Sequence, residues 1–218
     1  MSDSFGRGWI SGVERALVLC PHTDDELGCA GLILRLLEQG VHVKYYALSR
    51  CEASVPHLFP EDTLELECRR ATMALGLSDD SVEILRFPVR YFPQYRQDIL
   101  ELFVRINREY KPELVIIPAS FDNHQDHATV YQEGFRAFKH ASILGYELPQ
   151  NLISFSNTAF VTLSEEHLNQ KIRALGEYVS QGFRPYTSAD FIRSLAKVRG
   201  TQCNAGYAEA YEVVRLII

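Results

Sequence analysis

Twice in this chain a short apolar run ends abruptly in a cluster of ionisable side chains, and twice that cluster opens a helical pattern. Ala16-Leu17-Val18-Leu19 leads into Cys20-Pro21-His22-Thr23-Asp24-Asp25-Glu26, and Leu114-Val115-Ile116-Ile117 leads into Phe121-Asp122-Asn123-His124-Gln125-Asp126-His127. Uninterrupted apolar runs of this length suit strands buried on both faces. After the first cluster, Leu27, Ala30, Leu34 and Leu37 recur at helical spacing up to Gly40, placed as a residue just past a helix end. After the second, His127, Val130, Tyr131, Gly134, Phe135 and Phe138 do the same. Strands alternating with helices imply βαβ units, an α/β fold and a mostly parallel central sheet. Ionisable side chains at strand ends then point to a site at the carboxyl edge of that sheet.

The rest of the chain continues the alternation. The pattern predicts a strand from Val41 to Leu48 and a polar loop over 49–60. A helix follows, with Leu64, Cys68, Ala71 and Leu75 on one side and Gly76 at its end. It predicts a third strand from Val82 to Phe87 and a helix carrying Ile99, Leu102, Phe103, Ile106 and Tyr110, closed by Lys111-Pro112. Two strand-like runs at 152–155 and 159–163 lead to a helix opened by Ser164, with Leu168, Ile172, Leu175 and Val179 on its face. Another helix runs from Ser188 to Gly200, and Tyr211 to Ile218 reads as a last strand. Residues 1–15, with Gly6, Gly8 and Gly12, read as a loop or a loosely docked arm. With no repeat, low-complexity tract or linker, residues 1–218 read as a single domain.

Charge and composition narrow the function classes. A net charge of -6 argues against a general nucleic-acid or anionic-membrane binder. No apolar run is long enough to span a bilayer and the N-terminus lacks a signal-peptide core, so a cytoplasmic setting is expected. The five cysteines, at 20, 29, 51, 68 and 203, show no CxxC spacing and read as reduced thiols, Cys20 as a buried one at a strand end.

Helix capping accounts for part of each cluster. Thr23-x-x-Glu26 fits a capping box, and Asp122 or Asn123 fits an N-cap. Capping needs none of His22, His124 and His127, nor two adjacent aspartates. A metal uses them. His22 and Asp25, three apart at a strand-to-helix turn, can converge on one point, with His127 as third ligand. Two imidazoles and a carboxylate leave a tetrahedral Zn²⁺ one open position for water, the pattern of a catalytic site. Fe²⁺ is also accepted by such a donor set. Asp24 is then the general base, His124 the proton carrier or oxyanion stabiliser, and Asp126 the group that orients His124. Glu26 is left as a supporting or capping residue.

His22-Thr23-Asp24-Asp25-Glu26 resembles the HPDDE-type motif of the PIG-L/LmbE-like metal-dependent N-deacetylases, and His124-Gln125-Asp126-His127 resembles their HxxDH motif. The resemblance covers residues 15–140, and the tail Arg199-Gly200…Tyr207-Ala208-Glu209-Ala210-Tyr211 is similar to the C-terminal segment of many members. It implies a Rossmann-like sheet flanked by helices on both faces, with both motifs at its central switch point. It implies Zn²⁺ on His22, Asp25 and His127, Asp24 as base and His124 assisting. It also implies a small-molecule substrate, an N-acetylglucosamine-type amine, free, nucleotide-linked or conjugated. The chain departs from the family with Thr23 in place of Pro, Val89-Arg90 where an acidic residue is common after the third strand, and Leu64 where an Arg often opens the second helix.

Ser49, Arg50 and Arg90 are the candidate substrate contacts, with Arg96 and Arg184 as further cations for an anionic group and Tyr91, Phe92 and Tyr95 as an aromatic patch for a sugar ring. Glu209 is a candidate buttress from the tail, and the apolar tail from Val213 suits a subunit edge in a homo-oligomer. Three other classes fit the pattern less well. His22-x-Asp24 with a later His fits a non-haem Fe(II) oxygenase triad, but those enzymes are usually all-β. A non-catalytic sugar-binding module would not need base, ligands and orienting Asp together. A nucleotide-binding domain would need G-x-G-x-x-G at the first strand-to-helix turn, which is absent.

Overall fold

The computed structural model describes residues 12–217. Most of the arm expected over 1–15 and the last residue of the expected final strand therefore lie outside the described residues. In chain order the elements are β1 (Arg15–Cys20), α1 (Ala30–Glu38), β2 (His42–Ala47), α2 (Thr63–Ala74), β3 (Val82–Ile84), α3 (Arg96–Tyr110) and β4 (Leu114–Pro118). Then follow α4 (Gln125–Ala137), β5 (Ser142–Tyr146), β6 (Ala159–Leu163), α5 (Glu165–Leu175), α6 (Ala189–Gln202) and β7 (Tyr207–Arg215).

The strands form one seven-stranded sheet in the order β3-β2-β1-β4-β5-β7-β6. The first five are parallel, and β7 runs antiparallel to both β5 and β6. The chain winds outward from β1 to β3, then crosses back to lay β4 on the other side of β1. The ends of β1 and β4 therefore lie side by side where the winding reverses, the place such sheets reserve for ligands.

Alternation along β1 splits the core in two. Ala16, Val18 and Cys20 face α1, α2, α5 and α6, whereas Leu17 and Leu19 face α3 and α4. All five residues are fully buried. The strand is thus covered on both faces, as its unbroken apolar sequence required. Gly40 and Gly76 close α1 and α2 with left-handed φ of +76° and +94°.

Four elements differ from their sequence reading. The strand expected to reach Phe87 ends at Ile84, where its parallel register with β2 stops at Ala47. Beyond it the Leu85 and Phe87 N–H groups still donate to Ala47 and Leu48, and Arg86 meets Ser49 only as an isolated bridge. The strand-like run at 152–155 is a bend, and the strand on this side of the sheet is instead β5. Gly145 interrupts the apolar pattern of β5 for a packing reason: a Cβ there would sit 3.0 Å from the Ala119 Cα in the loop after β4. Val179 lies beyond α5 and is 68% exposed. The last strand starts at Tyr207, not Tyr211, and lies inside the sheet between β5 and β6. Ser164 opens α5 as expected, its hydroxyl accepting from the His167 N–H while the His167 ring accepts from the Ser164 N–H.

Candidate metal centre and active site

The turn after β1 brings His22 and Asp25 to the sheet edge, and the start of α4 brings His127 to meet them. His22 Nδ1 and His127 Nε2 are 3.1 Å apart, and Asp25 Oδ2 is 3.4 Å from each. Three ligands on a tetrahedral zinc, with bonds of about 2.0–2.1 Å, stand about 3.3 Å from one another. The three donor atoms already have that spacing.

The outer edges of the two rings fix which nitrogens are free. His22 Nε2 is 3.0 Å from Asp126 Oδ2. His127 Nδ1 is 2.9 Å from Asp122 Oδ2, within ion-pair reach though not aligned as a hydrogen bond. Carboxylates on the outer nitrogens hold the protons there and turn both inner lone pairs toward the same point. Two facing lone pairs repel unless a cation lies between them. Electrostatics agrees. Burial and then the neighbouring Asp24 push the Asp25 carboxyl well above the usual range, a penalty that a divalent cation would reverse. Burial lowers the His22 pKa against the pull of Asp126, which keeps the ring neutral and able to ligate.

His124 also brings a ring nitrogen within 4.8 Å of those of His22 and His127. It is the N-cap of α4, its Nδ1 accepting from the Asp126 N–H at 3.2 Å. A lone pair committed at Nδ1 leaves the proton of the neutral ring on Nε2. His124 therefore faces the site as a donor, whereas Asp25 offers Oδ2, which accepts the His22 backbone N–H at 2.7 Å and keeps a second lone pair for the site. Burial, then His22, lowers the His124 pKa.

These groups form the floor of a cavity of about 210 Å³. That is small beside the roughly 300–1,000 Å³ of common ligand clefts, so it admits one ring-sized group. Asp24 lines it beside His22, Asp25, His124 and His127. Arg90 also lines it, in a left-handed conformation with φ of +73°. The opposite wall comes from the C-terminal third: Gln150, Asn151, Gln181, Arg184 and Tyr186.

Residues 17–138 match the PIG-L family model, described as GlcNAc-PI de-N-acetylase. The chain belongs to the PIG-L family of N-deacetylases. A relative, the uncharacterised deacetylase YaiS of Escherichia coli K12, is 27% identical over 170 residues, covering 75% of this chain and 90% of that one. Several solved structures share the fold, among them the following two. The conserved protein TT1542 of Thermus thermophilus superposes with a TM-score of 0.79 at 22% identity, over 94% of this chain and 96% of that one. The N,N'-diacetylchitobiose deacetylase of Pyrococcus horikoshii superposes with a TM-score of 0.77 at 17% identity, over 93% and 84%.

Within this PIG-L-type site several details depart from the sequence reading. The Asp126 carboxylate does not orient His124; it accepts from the backbone N–H groups of Arg90 at 2.6 Å and Phe92 at 3.1 Å and holds His22. Neither Asp122 nor Asn123 is the cap of α4; Asp122 Oδ1 accepts from the His124 N–H at 2.8 Å. Thr23 and Glu26 form no capping box. Among the described residues the Thr23 hydroxyl has no partner, and Glu26 is buried against the hydroxyls of Tyr178 at 2.6 Å and Tyr45 at 3.1 Å. Burial pushes the Glu26 carboxyl up to about 8. Of the three candidate substrate contacts only Arg90 is on the cavity wall. Ser49 is fully buried, its Oγ accepting from the Cys51 N–H, and Arg50 Nε lies 3.4 Å from Glu52. Arg96 is occupied by Glu133. Of the aromatic patch, Phe92 is fully buried.

Glu209 supports the site from a distance. Its carboxylate accepts from the Gly31 and Leu32 N–H groups at 2.7 and 2.8 Å, from Lys171 Nζ at 2.7 Å and from the Tyr211 hydroxyl at 2.6 Å. It closes the N-terminus of α1, the helix the first cluster leads into. The supporting residues Asp122 and Tyr178 left little trace in the sequence, apart from Asp122 lying within a cluster. Among the described residues no helix is long and apolar enough to cross a membrane.

Proposed function

We propose that residues 1–218 act as one domain that hydrolyses the N-acetyl group of an amino sugar of the N-acetylglucosamine type, releasing acetate and a free amine. The observation that carries this is the triangle of His22 Nδ1, Asp25 Oδ2 and His127 Nε2, spaced for one tetrahedral ion at the floor of a ring-sized cavity. Zn²⁺ is the ion the donor set and geometry fit, with Fe²⁺ as the second candidate. When bound, it would polarise the acetyl carbonyl and lower the pKa of water.

The chain's own residues supply the rest. Asp24, beside the ligand Asp25 and on the cavity wall, takes the proton from the attacking water. His124, fixed as the Nε2–H form by its cap on α4, donates to the oxygen that gains charge as the carbonyl carbon becomes tetrahedral. Asp24, carrying the proton, delivers it to the amine as the C–N bond breaks. Asp126 and Asp122 hold the two ligand rings in register.

The test is acetate release from N-acetylglucosamine, chitobiose and nucleotide-linked or phosphorylated N-acetylhexosamines, with protein freed of metal and reloaded with Zn²⁺ or Fe²⁺. Metal-dependent acetate release from one sugar class is the expected result. Oxygen consumption with 2-oxoglutarate, and no acetate from any sugar, would replace the hydrolase by the oxygenase reading.

A further inference from the structure

The cavity wall carries a charge that the proposed reaction does not use. Arg15, Arg96 and Arg199 each face a carboxylate, of Glu113, Glu133 and Glu147 respectively. Arg184 lines the cavity and, among the described residues, faces none. Its Nε donates to Gln181 Oε1 at 2.7 Å and its Nη1 to the Tyr186 hydroxyl at 2.5 Å, both neutral groups. The guanidinium lies 5.5 Å from the ring centre of Phe183 and 5.7 Å from that of Tyr186.

Arg184 is nevertheless held in place. Gln181 Nε2 donates to Ser180 Oγ at 3.1 Å, and the hydroxyl and N–H of Ser180 donate to Glu67 at 2.6 and 2.8 Å. Glu67, Ser180 and Gln181 are each 1% exposed. A buried carboxylate on α2 thus orients a loop arginine through two neutral links without neutralising it. On the other wall, Arg90 has its backbone N–H gripped by Asp126 while its guanidinium, among the described residues, meets only Ser54 Oγ, at 3.4 Å. Below both lie Asp24 and Asp25, so the floor alone would repel an anion. A guanidinium oriented by neutral partners and left without a counter-charge at a cavity wall is built to receive a planar or tetrahedral oxyanion.

We propose that Arg184, with Arg90 across the mouth, forms an oxyanion subsite, so that the substrate is an N-acetylated amino sugar bearing a phosphate or carboxylate. The assignment of the acyl end rests on the deacetylase reading; the subsite itself does not.

The test is a binding titration of the zinc-loaded protein, with Asp24→Asn as background to suppress turnover. The probes are N-acetylglucosamine 1-phosphate, N-acetylmuramic acid and the neutral methyl glycoside of N-acetylglucosamine. At least one charged sugar is expected to bind about tenfold or more tightly than the neutral one, and which one does so tells phosphate from carboxylate. That ratio falls to within about twofold in Arg184→Gln, is partly restored in Arg184→Lys, and persists in Arg108→Gln, which removes a remote surface charge. Raising salt weakens the charged sugar alone. No tighter binding of either charged sugar, including no binding of any, overturns the proposal, as does a preference that survives Arg184→Gln in a folded protein. Failure of the deacetylase reading would show separately, as absence of acetate from all three sugars with the wild-type enzyme.

Discussion

Asp126 and His22 are 104 residues apart in the chain and 3.0 Å apart in space. The same carboxylate accepts the backbone N–H groups of Arg90 and Phe92, so one buried side chain ties the β1 turn, the segment after β3 and the start of α4 together. Burial alone would raise its pKa, but His22 and the two N–H groups outweigh burial and hold the carboxyl below the usual range. It therefore keeps its charge while it holds a proton on His22 Nε2. Asp126→Asn is expected to weaken metal binding by about 10–100-fold. Competition with a chelator of known affinity checks this. Unchanged affinity would show that His22 does not need Asp126 to present its lone pair.

Asp24 offers a separable effect. Asp24→Asn should retain about one metal per chain yet lose about 10²–10⁴-fold in kcat, as expected for loss of a general base. Metal content and acetate release on the same preparation distinguish the roles. Metal lost together with turnover would make Asp24 a ligand instead.

Glu26 makes stability depend on pH. Its folded carboxyl titrates near 8, against an ordinary value of 4.5. Between those values the folded metal-free protein keeps a proton that the unfolded chain has released, so stability falls as pH rises. The gap, at about 1.36 kcal/mol per pH unit, sets a ceiling of about 5 kcal/mol lost by pH 8. Glu26→Gln should flatten the profile between pH 5 and 8. Denaturant unfolding of the metal-free protein at several pH values reads it, and parallel profiles for wild type and variant would contradict the assignment.

Glu209 and Lys171 form a buried pair that also closes α1. Glu209→Ala leaves a buried ammonium and two helix N–H groups unpaired, and should cost about 3–5 kcal/mol in chemical denaturation. Adding Lys171→Met should recover part of that loss, a coupling expected of directly paired groups.

Some of this was legible in the sequence. β1 and β4 stand out because both faces are buried and no polar residue interrupts them. His22, Asp25 and His127 stand out because a parallel sheet gathers side chains at one edge from the loops that directly follow its strands. β5 does not, because Gly145 trades side-chain burial for backbone approach to Ala119. The partners of Asp126 were hidden because a helix-start aspartate can face either neighbour, and only the fold decides between His22 and His124. Gln181 belongs to chain far from both motifs, where no periodicity marks a side chain for the cavity, and Arg184 near it was legible only as a cation.

The central claim is that His22, Asp25 and His127 hold one ion. Elemental analysis of the purified protein, before and after reloading with Zn²⁺, tests it most directly. About one zinc or iron per chain, lost in His127→Ala and in Asp25→Ala while His124→Ala keeps it, is the predicted result. No metal in protein purified without chelator and none taken up from added Zn²⁺, or retention in His127→Ala, would contradict the account.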